Sequence, residues 1–384
     1  RACISMKLQP ELLALPRSPP GCFPGAGFVT VLSNESYVSG ALCLRLTMRK
    51  AGSRCPFILV IDDLDSRMPL STESLSRLYD AYGNHSITSL SYLQQRMLSF
   101  SQAWFQLENR SGSVWSGAHG VHEDTPSQQV VRPARQDVLT TRNHSVQGML
   151  FRVEREEATS IGRQLRSSTS TLSRIPRASN WGSNTHRKLL VWAIPNFDRA
   201  VFLDLDLLVL RNIDGLTKEL PGITGEALFS AVAAIPYSSR FFNSGVFLFA
   251  PSLATAARLH RLSQRATFSG RAGTDKAIRQ SSGSGSIRVQ PAGEKFHLTD
   301  QSILNHYFRG RWRQLAYGYN VGIKVRSADR KMWNRIDTAV IHFVSSPKPW
   351  ELHRLDTQTL EHVQRAGQMG PHVLWRTYCN DTLS

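Results

Sequence analysis

Residues 198–214 read DRAVFLDLDLLVLRNID. Ala200-Val201-Phe202-Leu203 is an unbroken apolar run of strand length that stops at Asp204, and Asp206 follows one residue later. Ligands of an open parallel sheet gather outside the carboxyl ends of its strands. Two carboxylates at such an edge can both turn toward one hard divalent cation. Leu203, Leu205, Leu207 and Leu208 surround the acids with apolar bulk. Unpaired charges are costly there, so a counter-ion is expected. The competing reading is a solvated Asp pair in a turn, and the stretch alone does not choose between them. The two acids also repel each other, so Asp206→Asn is expected to leave metal-free stability unchanged or slightly raised.

Upstream of this stretch the chain alternates strand and helix. Phe28 to Leu32 is a short β-branched apolar run bounded by Ser33-Asn34, which predicts a buried strand. Tyr37 to Arg49 carries Val38, Ala41, Leu42 and Leu46 at helical spacing, closed by Gly52 and Pro56. Phe57 to Ile61 is the next strand, and Ser71 to Tyr82 a helix with Ser71 as N-cap and Gly83 as stop. This order predicts a parallel α/β unit.

Ser, Gln, Arg, His and Gly dominate from about 84 to 184, which reads as a long disordered insertion. A shorter stretch at about 265–297, containing Ser281 to Ser286, reads as a second one. Around and beyond them, helices are expected at His186–Ala193, Ser252–Gln264 and Asp300–Phe308, and strands at Ala227–Ala234, Ser244–Ala250 and Ala339–Phe343. The resulting division is an irregular segment 1–26, one domain over 27–350 interrupted by the two insertions, and a C-terminal extension 351–384.

The formal net charge of +17 admits nucleic acid, an anionic membrane surface or anionic small substrates. No zinc-finger spacing, RNA-binding aromatic motif or basic heptad helix accompanies the charge, so nucleic acid is not expected as a partner. The five cysteines form no CxxC pair, and their odd number and irregular spacing predict reduced thiols rather than a disulfide framework. No run approaches the roughly 18–20 apolar residues of a membrane span. The chain begins at Arg1, so a missing targeting signal decides little, and the cytoplasm and the Golgi lumen both stay open as compartments.

Six ordered blocks resemble those of the glycogenin-like, family 8 retaining glycosyltransferases. The first is FVTVLSNESYVSGA at Phe28–Ala41, like the family's nucleotide-binding strand and helix. Lys188-Leu189 comes next, ahead of the Asp198–Asp214 stretch that resembles the metal strand. Phe242-Asn243-Ser244-Gly245-Val246, Asp300-Gln301-Ser302-Ile303-Leu304-Asn305, and His342-Phe343 with Lys348-Pro349-Trp350 complete the set. The resemblance implies an α/β fold: one nucleotide-sugar-binding, Rossmann-like domain of GT-A type with a mixed, mainly parallel central sheet.

It also implies roles. Asp204, Asp206 and His342 would hold Mn²⁺ on the donor diphosphate, with Lys348 as a further cationic donor to that phosphate. Val31, Ser33, Asn34 and Tyr37 would line the uridine pocket. Asn243, Ser244, Asp300 and Gln301 would lie near the transferred sugar, with Lys188 as a further donor-binding residue and Lys348, Asp300 and Gln301 as the catalytic groups. Each has a plainer reading. His342 could be a core histidine, Tyr37 a core aromatic, Asp300 the N-terminal charge of its helix, and Lys188 and Lys348 surface residues.

Three positions depart from the family's pattern. Ser345-Ser346 stands where it usually has Gly, Leu205 where it has a small residue, and Leu207 where it has Thr. The implied activity is transfer of a hexosyl group from a UDP-sugar to an unspecified carbohydrate, protein or lipid acceptor with retention of configuration. A homodimer is left open, and a catalytically inactive nucleotide-sugar-binding or scaffold protein of the same fold is the alternative. A dinucleotide oxidoreductase is excluded because Ser33-Asn34-Glu35-Ser36 replaces a Gly-x-Gly-x-x-Gly turn.

Overall fold

The computed structural model describes residues 21–64, 69–111, 184–219, 229–234, 240–268, 299–344 and 346–382. Residues 1–97 and 180–384 form one compact unit and residues 98–179 a second. The described part of the second unit is the continuation of one helix.

The first unit is built on a seven-stranded sheet. In chain order its strands are β1 (Ala26–Leu32), β2 (Phe57–Ile61), β3 (Ile87–Ser89), β4 (Arg199–Leu203), β6 (Phe229–Ala233), β7 (Phe242–Phe249) and β8 (Arg313–Leu315). Their spatial order is β3-β2-β1-β4-β7-β6-β8. The β1–β4 half is parallel throughout, and β7 runs antiparallel to both β4 and β6. This is the mixed, mainly parallel sheet expected from the sequence. A second, three-stranded sheet has the order β5 (Leu207–Val209), β10 (Val340–His342), β9 (Val321–Gly322).

Helices α1 (Val38–Lys50) and α2 (Thr72–Tyr82) fill the connections among the first strands. Ser71 caps α2 by accepting from the Ser74 N–H at 3.1 Å, and Gly83 leaves it at φ 82°, as their residue types predict. Helix α3 (Leu90–Ser111) and strand β3 lie inside the region read from the sequence as insertion. Leu90, Leu93 and Met97 are fully buried along α3, a helical apolar spacing that the polar background of the sequence hides. Residues 84–97 therefore belong to the first unit, and the helix continues to Ser111. The remainder of that region, and residues 269–297 of the second stretch, lie outside the described residues, whereas 265–268 continue helix α4 (Leu253–Phe268).

The thiols depart from expectation. Cys22 joins Cys55, and Cys43 of α1 joins Cys379. Chain spacing could not reveal these pairs, because tertiary proximity makes them; their Cα atoms stand 5.1 and 5.2 Å apart. Cys379 ends the last of the remaining helices, which are α5 (Asp300–Tyr307), α6 (Ile323–Ala328), α7 (Arg330–Arg335), α8 (Thr357–Arg365) and α9 (Met369–Cys379). Trp375 of α9 is fully buried against Cys43, Leu208, Ile341, Phe343 and Trp350. Helix α9 thus takes part in this core through Trp375 and Cys379.

Two close approaches need glycine. A Cβ on Gly27 of β1 would stand 2.2 Å from the Phe197 ring. One on Gly40 of α1 would stand 2.7 Å from the Leu205 carbonyl oxygen and 2.8 Å from the Trp350 ring.

Cys379→Ser should lower the melting temperature under non-reducing conditions by the equivalent of about 2–4 kcal/mol, the usual worth of a native disulfide. Adding a reductant to the unsubstituted protein should reproduce much of that loss, and should leave the variant nearly unmoved unless Cys22–Cys55 also contributes. A melting curve indifferent to both treatments would remove this bond from the fold's stability.

Candidate active site

Two strand registers and one helix start assemble the site. Strand β4 pairs antiparallel with β7, Leu203 opposite Val246, and the Asp204 N–H donates to the Gly245 carbonyl at 2.8 Å. Asn243-Ser244-Gly245 thereby lies beside the first acid. Strand β5 pairs antiparallel with β10, His342 opposite Leu207, and the Phe343 N–H donates to the Asp206 carbonyl at 2.9 Å. His342 thereby lies beside the second. Helix α5 begins at a Thr299 cap, reciprocated by Ser302, which fixes the first turn carrying Asp300 and Gln301.

Lys188 is delivered by a 3₁₀ segment, Asn184–Ala193. Trp192 anchors it, stacked among Phe229, Phe247, Phe249 and Phe308 with ring centroids 4.6–6.2 Å apart. A truncation of so deeply buried an aromatic costs about 3–5 kcal/mol, so this segment's position is firmly set. On the far side, Glu35 accepts from the Ser71 N–H at 3.1 Å and from Ser74, tying the Ser33–Tyr37 loop to the start of α2. Tyr37 is braced edge-on by Trp350 at 5.4 Å.

These elements surround a cavity of about 510 Å³. Every residue expected at the site from the sequence lines it except Lys348, which is buried against Asp206. Phe202, Leu205, Thr299 and Val344 complete the lining. Sequence reading passed over Thr299, whose signal is the Thr-Asp-Gln-Ser cap pattern. It also passed over Asn320, a loop residue with no pattern of its own.

The charges are divided in a definite way. Lys188 Nζ lies 2.9 Å from Asp204 Oδ1 and 2.9 Å from Asp300 Oδ2, above the Phe202 ring at 4.6 Å. Ser244 Oγ donates to Asp300 Oδ2 at 2.7 Å. Lys348 Nζ donates to Asp206 Oδ2 at 2.6 Å and to the Phe343 carbonyl at 2.7 Å. Each acid of the pair therefore has one oxygen held by a lysine. The other oxygens, Asp204 Oδ2 and Asp206 Oδ1, face His342 Nε2 at 3.8 and 3.2 Å.

Comparison with known proteins adds the chemistry's lineage. The family model described as glycosyl transferase family 8 matches residues 280–353, which include Asp300, Gln301, His342 and Lys348. Human glycogenin-2 is 29% identical over 216 residues, 52% of this chain and 35% of its own length. Mouse glycogenin-1 is 30% identical over 176 residues, 43% of this chain and 41% of its own. These matches support a glycogenin-like, family 8 glycosyltransferase. The chain spans about two fifths or less of the length of these curated relatives. Among solved structures, the glycosyltransferase GlyE of Streptococcus pneumoniae is 14% identical, with a TM-score of 0.42 over 92% of this chain and 63% of that one.

Within this family setting, Asp204, Asp206 and His342 form a group able to hold a divalent metal ion, their ligand atoms all within 4.8 Å of one another. The donor set fits the ion. Two carboxylate oxygens and an imidazole nitrogen converge, and the lysines occupy only the opposite carboxylate oxygens. No helix among the described residues is long and apolar enough to cross a membrane.

The two acids of the pair differ electrically. Burial pushes both up; for Asp206, His342 and Lys348 outweigh it and hold the carboxyl well below its ordinary value. For Asp204, burial prevails, joined by Asp206 and Asp300, and its carboxyl is pushed up despite Lys188 and His342. Burial would pull the two ammonium groups down, but Asp204 and Asp300 keep Lys188 above the ordinary lysine value, and Asp206 does the same for Lys348.

This corrects the expectation that removing Asp206 is harmless to the metal-free protein, because Lys348 would be left buried without its partner. Asp206→Asn should lower metal-free stability at about pH 7, while Asp204→Asn should hold or raise it. A carboxyl depressed on folding stabilises above its unfolded value of about 3.9 and loses that contribution as pH falls below it. Urea melts at about pH 7 and pH 3 check this. The deficit of Asp206→Asn should shrink at the lower pH, and equal effects of the two substitutions at neutrality would contradict the assignment.

Proposed function

We propose that this chain transfers a hexosyl group from a UDP-sugar to an acceptor with retention of anomeric configuration, using Mn²⁺. The observation that carries the reading is the meeting of a lysine-balanced Asp204–Asp206–His342 group with the Ser33–Tyr37 loop and the start of α5 in one cavity. The family 8 match at residues 280–353 supports the reaction class. Asp204, Asp206 and His342 would hold the ion, which supplies Lewis-acid stabilisation of the departing diphosphate.

The remaining steps belong to this chain's own groups. Val31, Ser33 and Asn34 line the nucleoside end, and Tyr37, held by Trp350, presents its ring to the base. Lys348 uses two donors on Asp206 and Phe343, and an ammonium has three, so one N–H remains for a diphosphate oxygen. Because its charge is fixed by Asp206, it meets the growing negative charge without reorganisation. At the sugar end, Lys188, Asp300 and Ser244 form a buried bonded cluster. Gln301 Oε1 accepts from the Ser244 N–H and Asn243 Nδ2, which leaves its NH₂ for a sugar hydroxyl. The two disulfides favour an oxidising compartment, and so the Golgi lumen over the cytoplasm.

Incubation with a panel of UDP-hexoses should release UDP only when Mn²⁺ is present, and the sugar anomer first released should be that of the donor. Mn²⁺ with UDP should raise the melting temperature, as a ligand selective for the native state does, and His342→Ala should lose most of that rise. Absence of both metal-dependent release and the UDP-linked rise would sink the proposal.

Lys348→Ala should lower kcat by about a hundredfold or more, with a smaller effect on KM, as expected for a charge stabiliser acting mainly in the transition state. An unchanged kcat would confine Lys348 to a structural role beneath Asp206.

A further inference from the structure

Behind the metal-ligand group lies a chain of side-chain amides that ends on the histidine. Gln301 Oε1 accepts from Asn243 Nδ2 at 3.2 Å. Asn243 Oδ1 accepts from Asn320 Nδ2 at 2.9 Å, and Asn320 Oδ1 lies 2.8 Å from His342 Nδ1. Amide orientation is ordinarily ambiguous, because oxygen and nitrogen are interchangeable in shape. Here backbone groups remove the ambiguity. The Gly245 N–H, which can only donate, points at Asn243 Oδ1 at 2.8 Å, and the Ser244 N–H points at Gln301 Oε1 at 3.3 Å.

Each step then follows by elimination. Asn243 must present oxygen to Gly245 and to Asn320. Asn320 must therefore present its NH₂ to Asn243 and its oxygen to His342. An oxygen facing Nδ1 requires a proton on Nδ1, so the neutral ring carries its lone pair on Nε2. That nitrogen is the one facing Asp204 Oδ2 and Asp206 Oδ1. With the ring neutral, three lone-pair atoms converge in this way and repel one another unless a proton or a metal cation lies among them. The backing also has no slack. A Cβ on Gly245 would stand 2.2 Å from His342 Cε1, 2.6 Å from Nδ1 and 2.9 Å from Asn243 Oδ1.

We infer that Asn320 is a positioning residue that locks His342 in the Nδ1–H tautomer, with its orientation set through Asn243 by the Gly245 N–H. The same relay reaches Gln301 on the sugar side, so the metal ligand and the sugar-facing amide share one hydrogen-bond frame. The inference rests on the proposed metal site for its purpose but not for its geometry.

The test reads the tautomer first, without metal. Long-range ¹H–¹⁵N spectra of histidine-labelled protein, recorded at alkaline pH, should show Nδ1 protonated and Nε2 bare. The signal is assigned by its absence from His342→Ala. A wild-type Nε2–H form overturns the inference outright.

Mn²⁺ affinity, followed by the paramagnetic resonance of free ion, should fall by about tenfold to a hundredfold in Asn320→Leu, which removes the acceptor. Asn320→Asp, which keeps an acceptor toward Nδ1, should stay within a few-fold of wild type and retain the Nδ1–H signature. Wild-type affinity and an unchanged tautomer in Asn320→Leu would overturn the inference. Should that variant not fold, loss of the signature or of the affinity in Asn320→Asp would overturn it equally. If wild type binds no Mn²⁺, the proposed function fails, and the metal-free tautomer measurement still decides the present point.

Discussion

The antiparallel pairing of β10 with β5 is the constraint on which the site depends. Its last bond, from the Phe343 N–H to the Asp206 carbonyl, is made by the residues adjoining the histidine and belonging to the acid. A slip of one residue would turn His342 to the other face of the small sheet and carry Lys348 away from Asp206. The surrounding core discourages such a slip. Leu208, Ile341 and Phe343 are buried together with Cys43, Trp350 and Trp375, so the register that forms the site also buries this apolar cluster. Packing and chemistry are specified by the same alignment.

A second requirement is electrical. Asp204, Asp206, Asp300, Lys188, Lys348 and His342 lie within one site, largely shielded from water. Such a collection is tolerable only because the lysines and acids alternate. Lys188 bridges Asp204 and Asp300, and Lys348 holds Asp206 from below. The arrangement leaves one oxygen of each acid in the Asp204–Asp206 pair facing His342. Their unequal carboxyl behaviour follows from position: Asp206 has both a lysine and the nearer contact to the imidazole, while Asp204 shares its lysine with Asp300.

Much of this was legible in the sequence because it is local. The run ending at Asp204, the Ser71 and Gly83 boundaries of α2, and the parallel half of the sheet follow from apolar periodicity and turn chemistry. The grouping of the site residues came from motif resemblance, and the geometry of the cavity agrees with it. What was not legible is what arises only in three dimensions. Cys43 and Cys379 have no spacing rule, and α3 hides its buried Leu90, Leu93 and Met97 in a polar background. Asn320 carries no motif, and Lys348 gives no hint in the sequence that it will lie under Asp206 rather than in the cavity. Each of these depends on contacts between distant parts of the chain.

Gly40 shows how tightly the separate motifs are joined. It belongs to the helix that follows the Ser33–Tyr37 loop, yet a single added carbon there would meet the backbone between Asp204 and Asp206 and the ring of Trp350 in the Lys348 loop. The three motifs are far apart in the chain and share one point with no free volume. Divergence of this sequence is therefore coupled at that point. A lineage could enlarge residue 40 only by reshaping the Asp204–Asp206 turn and replacing Trp350 together, so the smallest side chain in the site region sets how independently its largest parts can change.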